Sequence, residues 1–178
     1  MHALTLDAPR SRTSSTLSLA EAAEAHLDDV YGYLLYLTRS RDLAEELTGE
    51  TFERAVRRWS RFDPKRGTAR TWLLTMARST ALDRLRSESR RRRREERVAE
   101  ESDPRGSSEL PEGLSPELAE ALAELTVGER EVIALRVVLE LDGEQTARML
   151  GISVTAVSTR LSRSLKKLEE RMTTDDPE

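Results

Sequence analysis

The sequence predicts an all-α protein: two small helical bundles joined by a flexible acidic linker. Three observations point there. Apolar residues recur every three or four positions through residues 19–94 and again through 115–172, and no alternating strand pattern competes with them. Helix-capping residues open nearly every periodic segment. Between the two stretches, residues 95–114 consist largely of Glu, Ser, Pro and Gly, a composition that cannot bury enough apolar surface to fold.

Residues 1–18 are rich in Ser, Thr and Arg without periodicity and are expected to be disordered. The first helix should begin at Ser18, where Glu21 completes a capping box. Its apolar stripe is Leu27, Val30, Tyr31, Leu34 and Leu37. A second helix is expected from about Asp42 to Trp59, with Leu43, Leu47, Phe52 and Val56 inward. Asp42, Glu45 and Glu46 sit in its first turn, where the helix dipole favours negative charge. Pro64 and Gly67 then break the chain into a loop. A third helix should start near Thr68 and carry Trp72, Leu73, Met76, Ala77, Ala81, Leu82 and Leu85. Arg90 to Arg94 either extend it or form a frayed, solvated end, because five adjacent cations repel one another.

Order resumes at Ser115, a cap followed by Pro116 at the first helical position. Thr126 with Glu129 opens a helix carrying Val132, Ile133, Leu135, Val138 and Leu139. Asp142 with Gln145 opens another, which Gly151 ends, and Ser153 caps the last. Asp142–Leu168 thus has the spacing of a helix-turn-helix, with Val154, Val157, Leu161, Leu165, Leu168 and Met172 expected to bury. Residues 173–178 are read as an acidic tail.

Composition excludes several classes. There is no cysteine, so disulfides and thiolate metal sites are ruled out. His2 and His26 are too far apart for a metal cage, and no cofactor is expected. No apolar run approaches the roughly 20 residues of a membrane span, and no secretory h-region is present, so a cytoplasmic location is expected. The net charge of −4 hides a division: residues 19–94 hold 17 basic against 12 acidic side chains, and residues 95–125 hold 2 against 10. Acidity therefore resides in the linker and tail and does not argue against nucleic acid.

Two surfaces carry the chemistry. In the first, Trp59, Phe62 and Trp72 are interleaved with Arg61, Lys65, Arg66 and Arg70, and Arg78, Arg84 and Arg86 follow. Aromatic rings among cations suit an unstacked strand, since every base offers a face for stacking. The same rings could simply be core, as aromatics at helix ends usually are; their setting among cations raises the alternative. In the second, Arg160, Arg163 and Lys167 share the outer face of the last helix, and Thr155, Ser158, Thr159 and Ser162 add hydroxyls that can reach bases or phosphates. DNA recognition is favoured there over a helical hairpin with a solvated basic face.

These residues resemble a family. Ala44-Glu-Glu-Leu-Thr-Gly-Glu-Thr-Phe52, Phe62-Asp63, Thr71-Trp-Leu-Leu-Thr-Met-Ala-Arg78 and Leu82-Asp-Arg-Leu-Arg86 resemble region two of bacterial sigma factors, closest to the extracytoplasmic-function (ECF) group of the sigma-70 family. Leu125 through Leu168, with Glu129-Arg-Glu-Val132 and Gly151-Ile-Ser-Val154, resembles region four of that group. The resemblance implies a non-catalytic, dissociable subunit of RNA polymerase that directs transcription from particular promoters. It places Asp42, Glu45, Glu46, Glu50 and Phe52 on the clamp helices of the largest polymerase subunit. Trp59, Phe62, Arg66, Arg70, Thr71, Trp72, Arg78 and Arg84 would capture the melted minus-ten non-template strand. The final helix, with Thr155, Ser158, Thr159, Arg160, Ser162, Arg163 and Lys167, would read minus-thirty-five duplex near the flap of the second-largest subunit. An anti-sigma protein is an expected partner, able to hold the factor near the membrane, otherwise nucleoid-associated. Two departures stand out: Gly49 where the family often has glutamine, and Ala156 and Ser158 where it has threonine and a basic residue.

The competing reading is a free-standing helix-turn-helix regulator, since Leu125–Leu168 also resembles response-regulator outputs. An enzyme is disfavoured: no glycine-rich phosphate loop, metal-ligand cluster or Ser/His/Asp arrangement is present.

Overall fold

A computed structural model describes residues 18–95 and 115–174, and every regular element among them is helical. The first bundle is α1 (Leu19–Thr38), α2 (Arg41–Arg58) and α3 (Ala69–Glu95). The second is α4 (Pro116–Ala123), α5 (Val127–Ile133), α6 (Gly143–Leu150) and α7 (Val154–Thr174). A 3-10 turn, Trp59–Arg61, follows α2, and a π turn, Ala134–Val138, continues α5. The expected disordered segment and the linker lie outside the described residues apart from their edges, and α7 runs two residues into the expected tail.

Local signals set the helix starts. Ser18 accepts the Glu21 N–H at 3.2 Å while Glu21 accepts the Ser18 N–H at 2.8 Å. Thr126 with Glu129 and Asp142 with Gln145 form the same reciprocal pairs. Ser115 caps α4 ahead of Pro116, Thr68 accepts the Thr71 N–H, and Ser153 accepts that of Ala156. Each such cap contributes about 1 kcal/mol by satisfying an amide that the helix leaves unpaired. The arginine run is helical: α3 continues through it to Glu95.

Packing departs from the expected stripes in instructive places. Leu34, Leu37, Leu47, Leu73 and Leu74 are fully buried in the first bundle, each contributing roughly 1.5–3 kcal/mol. Leu27 is instead exposed, and Val56, expected inward, is 66% exposed. At 100° per residue Val56 comes round beside Glu45, Gly49 and Glu53, opposite buried Ala44, Leu47, Thr51 and Ala55. Val138 is exposed because the π turn inserts one residue and rotates the chain, which brings Leu139 and Leu141 into the core. On α7, Val154, Leu165 and Met172 are exposed. The inward line runs Val157, half-buried Leu161, Ser164 and Leu168; Ser164 is tolerated inside because its hydroxyl donates to the Arg160 carbonyl at 2.8 Å.

The turn of the helix-turn-helix depends on Gly151, whose φ of 68° suits a residue without Cβ. At the opposite end of α6, a Cβ on Gly143 would lie 3.3 Å from Val154 Cγ1, so glycine lets α7 approach closely. The two bundles also touch each other: α1 packs on α5 and the π turn, and α3 meets α6.

Candidate nucleic-acid interface

The 3-10 turn after α2 and the start of α3 bring the three expected aromatics together. Trp59 and Phe62 stack at 4.8 Å between ring centroids with an interplanar angle of 22°, and Trp72 meets Trp59 edge-on at 5.6 Å. All three rings are half-buried against the core. The rings thus spend part of their stacking surface on one another and on the core. Phe62 and Trp72 line a cleft of about 530 Å³, with exposed Arg61 and Arg66, half-buried Thr71, and Gln145 and Arg148 of α6 on the opposite wall. Gly67 shapes the loop at its rim with a φ of 156°, where a Cβ would sit 3.2 Å from Thr71 Oγ1.

The other cations expected on this surface are engaged. Arg70 forms a bidentate pair with Asp29 of α1, at 2.7 and 3.1 Å. That hydrogen bond to Arg70 is the main reason the Asp29 carboxyl lies below the usual carboxylate range. Arg84 joins Glu88 and Glu46 at 2.9 and 3.1 Å, which ties it to α2 rather than to the aromatic cleft. Arg78 donates Nε–H to Glu131 of α5 at 2.7 Å. Of the arginines expected to meet the single strand, Arg66 and Arg84 are exposed, and Arg84 is held by Glu46 and Glu88.

The outer face of α7 is open by comparison. Thr155, Ser158, Thr159, Ser162 and Arg163 are exposed, and Arg160 is half-buried. Thr155, Thr159, Arg160 and Arg163 line a groove with Thr126 and Gly128 at the start of α5. Two side chains are committed locally: the Ser158 hydroxyl donates to the Val154 carbonyl, and Lys167 bonds Glu129 and the Glu124 carbonyl, both at 3.3 Å.

On α2, Asp42, Glu45, Glu46 and Glu50 are all exposed. Val56 shares their face, and Phe52 is half-buried beneath. Gly49 stands among them with open space where a side chain would project.

A polar seam between the bundles was not anticipated. Glu131, only 4% exposed at its side chain, accepts the Tyr33 hydroxyl at 2.8 Å as well as Arg78. Burial, followed by the Glu131 charge, pushes the Tyr33 hydroxyl well above its usual range, so it remains a donor. Arg130 donates to the Leu125 and Leu37 carbonyls, and Arg39 to the Ala123 carbonyl at 2.8 Å. Burial and the neighbouring Arg39 charge lower Arg130 to about 10, which leaves it protonated at neutral pH. Adjacent charges interrupting an apolar run, Arg130-Glu131 before Val132, were the one sequence signal of this seam.

The comparisons with known proteins follow the same division. The Sigma-70 region 2 family model matches residues 22–91, and the Sigma-70 region 4 model matches residues 115–168. The ECF RNA polymerase sigma factor BldN of Streptomyces coelicolor is 30% identical over 185 residues, covering 96% of this chain and 69% of that protein. The chain belongs to the ECF group of the sigma-70 family. The ECF sigma factor SigX of Bacillus subtilis is 29% identical over 157 residues, covering 84% of this chain and 80% of its own. In fold, it is similar to the sigma factor RpoE of Bartonella quintana, with a TM-score of 0.73, 22% identity, and coverage of 88% of this chain and 98% of that one. This alternative sigma factor directs promoter-specific transcription initiation by RNA polymerase. Matches to both regions, in family order, disfavour a free-standing regulator. No helix among the described residues is long and apolar enough to cross a membrane.

Proposed function

We propose that the two bundles divide promoter recognition by the state of the DNA they hold. The cleft between the 3-10 turn and α3 captures the melted minus-ten non-template strand. Trp72 and Phe62 supply apolar wall, Arg66 meets backbone phosphate, and Thr71 lies at the rim. A base bound against an aromatic ring contributes about 1–3 kcal/mol, enough to hold an unstacked base but not to melt duplex alone. Polymerase must assist. The outer face of α7 reads minus-thirty-five duplex, with Arg160 and Arg163 on guanine edges or phosphates and Thr155, Thr159 and Ser162 beside them. The acidic face of α2 docks on the clamp helices of the polymerase, Val56 adding apolar contact within a ring of carboxylates.

The observation that carries this reading is spatial segregation: an aromatic, cation-rimmed cleft, a separate hydroxyl- and arginine-bearing helix face, and an acidic helix face lie on different elements. The factor has no catalytic role of its own in this scheme and acts in the cytoplasm, on the nucleoid. The RpoE relative was solved in complex with the anti-sigma factor NepR. That precedent supports a regulatory partner of the same kind here.

Transcription in vitro with core polymerase on a genomic promoter library tests the reading. Discrete transcripts sharing minus-ten and minus-thirty-five elements are the expected result. Tight, sequence-specific duplex binding without polymerase, and no transcripts with it, would reject it.

A further inference from the structure

Apolar periodicity predicts Val154 to be buried, yet it is 44% exposed at the first position of α7. The side chains assigned to the duplex-reading face of α7 are all polar or charged. The opening turn of a recognition helix is where side chains meet base edges in the major groove. Two other apolar side chains of α7, Leu165 and Met172, are exposed as well. They lie about 16 and 27 Å further along the axis, too far to meet the same base pairs. Val154 alone is in position.

Its side chain is also held in place. A Cβ on Gly143 would stand 3.3 Å from Val154 Cγ1, so the first turn of α6 packs against that methyl. A β-branched side chain in a helix has one strongly preferred χ1 rotamer, so the exposed part of the isopropyl group is a fixed apolar surface. The neighbour at i+4, Ser158, spends its hydroxyl on the Val154 carbonyl at 3.2 Å. The polar readers stand elsewhere. At 100° per residue Arg163 is on the opposite edge of the outer face, with exposed Thr155, Thr159 and Ser162 between. The thymine C5-methyl is the apolar group that base pairs present in the major groove. We propose that Val154 is a specificity-determining residue that packs on the C5-methyl of one thymine of the upstream element and so selects an A·T pair there. A guanine O6 or a cytosine amine at that place would lose its water against the isopropyl group without gaining a hydrogen bond.

The inference rests on the reading of α7 as the duplex-facing helix, and its test removes the methyl from the DNA as well as the valine from the protein. Deoxyuridine lacks the methyl of thymidine and pairs with adenine in the same way. Holoenzyme affinity is measured on duplex promoters taken from the transcription assay, with each thymine of the upstream element, on either strand, replaced singly by deoxyuridine. One replacement should weaken wild-type binding about fourfold, as for one buried methyl group. Val154→Ala should bind the thymine promoter about fourfold less well and lose its sensitivity to deoxyuridine at that position. Because Val154 is exposed, the variant should keep its helical signal. Equal weakening on thymine and deoxyuridine promoters would make Val154 a packing residue of the turn and overturn the proposal. A wild type indifferent to every replacement, or an upstream element without an A·T pair, overturns it too, and both leave the reading of α7 intact. Holoenzyme that binds no upstream element specifically overturns that reading, and this inference with it.

Discussion

The two DNA-facing surfaces differ in how ready they are. On α7 the hydroxyls of Thr155 and Thr159 and the guanidinium of Arg163 already face solvent. On α3 the cations are paired: Arg70 with Asp29, Arg78 with Glu131, Arg84 with Glu46 and Glu88. A duplex-reading helix can be complete before it meets its groove, since the groove needs no rearrangement of the protein. A site for bared strand is useful only once DNA is open, and here the arginines that α3 contributes, Arg70, Arg78 and Arg84, are bound to carboxylates in the meantime. The contrast teaches that clustered arginines do not by themselves make a free basic surface. Their partners decide.

The largest expected effect breaks the scaffold beneath one surface alone. Leu73→Ala, in the core under the aromatic cluster, should destabilise the first bundle by about 2–5 kcal/mol. Urea denaturation followed by helical signal measures it. A loss below about 1 kcal/mol would mean that the site collapses around the gap.

Trp72→Ala is next and targets function. It should reduce promoter opening by roughly 10- to 100-fold, in line with about 1–3 kcal/mol per stacked base, while polymerase binding stays near wild type. Permanganate footprinting of open complexes against a polymerase pull-down separates the two. Equal losses in both would erase the proposed division between α2 and α3.

On the other surface, Arg163→Ala should cost about 1–3 kcal/mol if the side chain reads a base, with relaxed preference at one position of the upstream element. If it meets phosphate instead, binding should weaken uniformly and the salt slope should fall by about one. Binding of holoenzyme to promoter variants over a salt series distinguishes these outcomes. Because Arg163 is exposed, stability should not change.

The smallest effect concerns the paired cations. Asp29 titrates below its ordinary value of 3.8 because Arg70 binds its ionised form. The stabilisation is therefore fully present above the unfolded value, and it is lost as the pH falls through the lower folded one. Replacing Asp29 with Asn should remove this acid-sensitive component and free Arg70, at about 0–1 kcal/mol for a partly exposed pair. Melting temperatures of both proteins, compared from pH 6 down to about 2, should begin to converge only once the pH falls below the unfolded value of 3.8. Parallel curves would assign the acid lability to another carboxylate.

Much of the fold was legible because its signals are local. Capping residues at Ser18, Thr126 and Asp142 act within three residues of their partners, and the glycine at 151 acts through its own backbone angle. The gathering of Trp59, Phe62 and Trp72 was also legible, since one short loop connects them. Stripe readings failed where a helix had more than one neighbour or changed its pitch. Val56 lies on the acidic face of α2, the π turn moved Val138 out, and α7 buries Ser164 in preference to Leu165. Neither Gln145 nor Arg148 was marked as a wall of the cleft, because nothing in α6 reveals which surface it will approach.

By itself the sequence determined the helices, their boundaries to within a few residues, the two-bundle organisation and the family. These follow from hydrogen bonds and apolar periodicity that operate over one or two turns. Only the tertiary structure decided which charges are free. Tyr33 and Arg78 meet Glu131 across 98 and 53 residues. Arg39 reaches Ala123 across 84. No local rule couples such positions; a guanidinium or carboxylate chooses its partner only after helix packing has fixed which side chains can come within hydrogen-bonding distance.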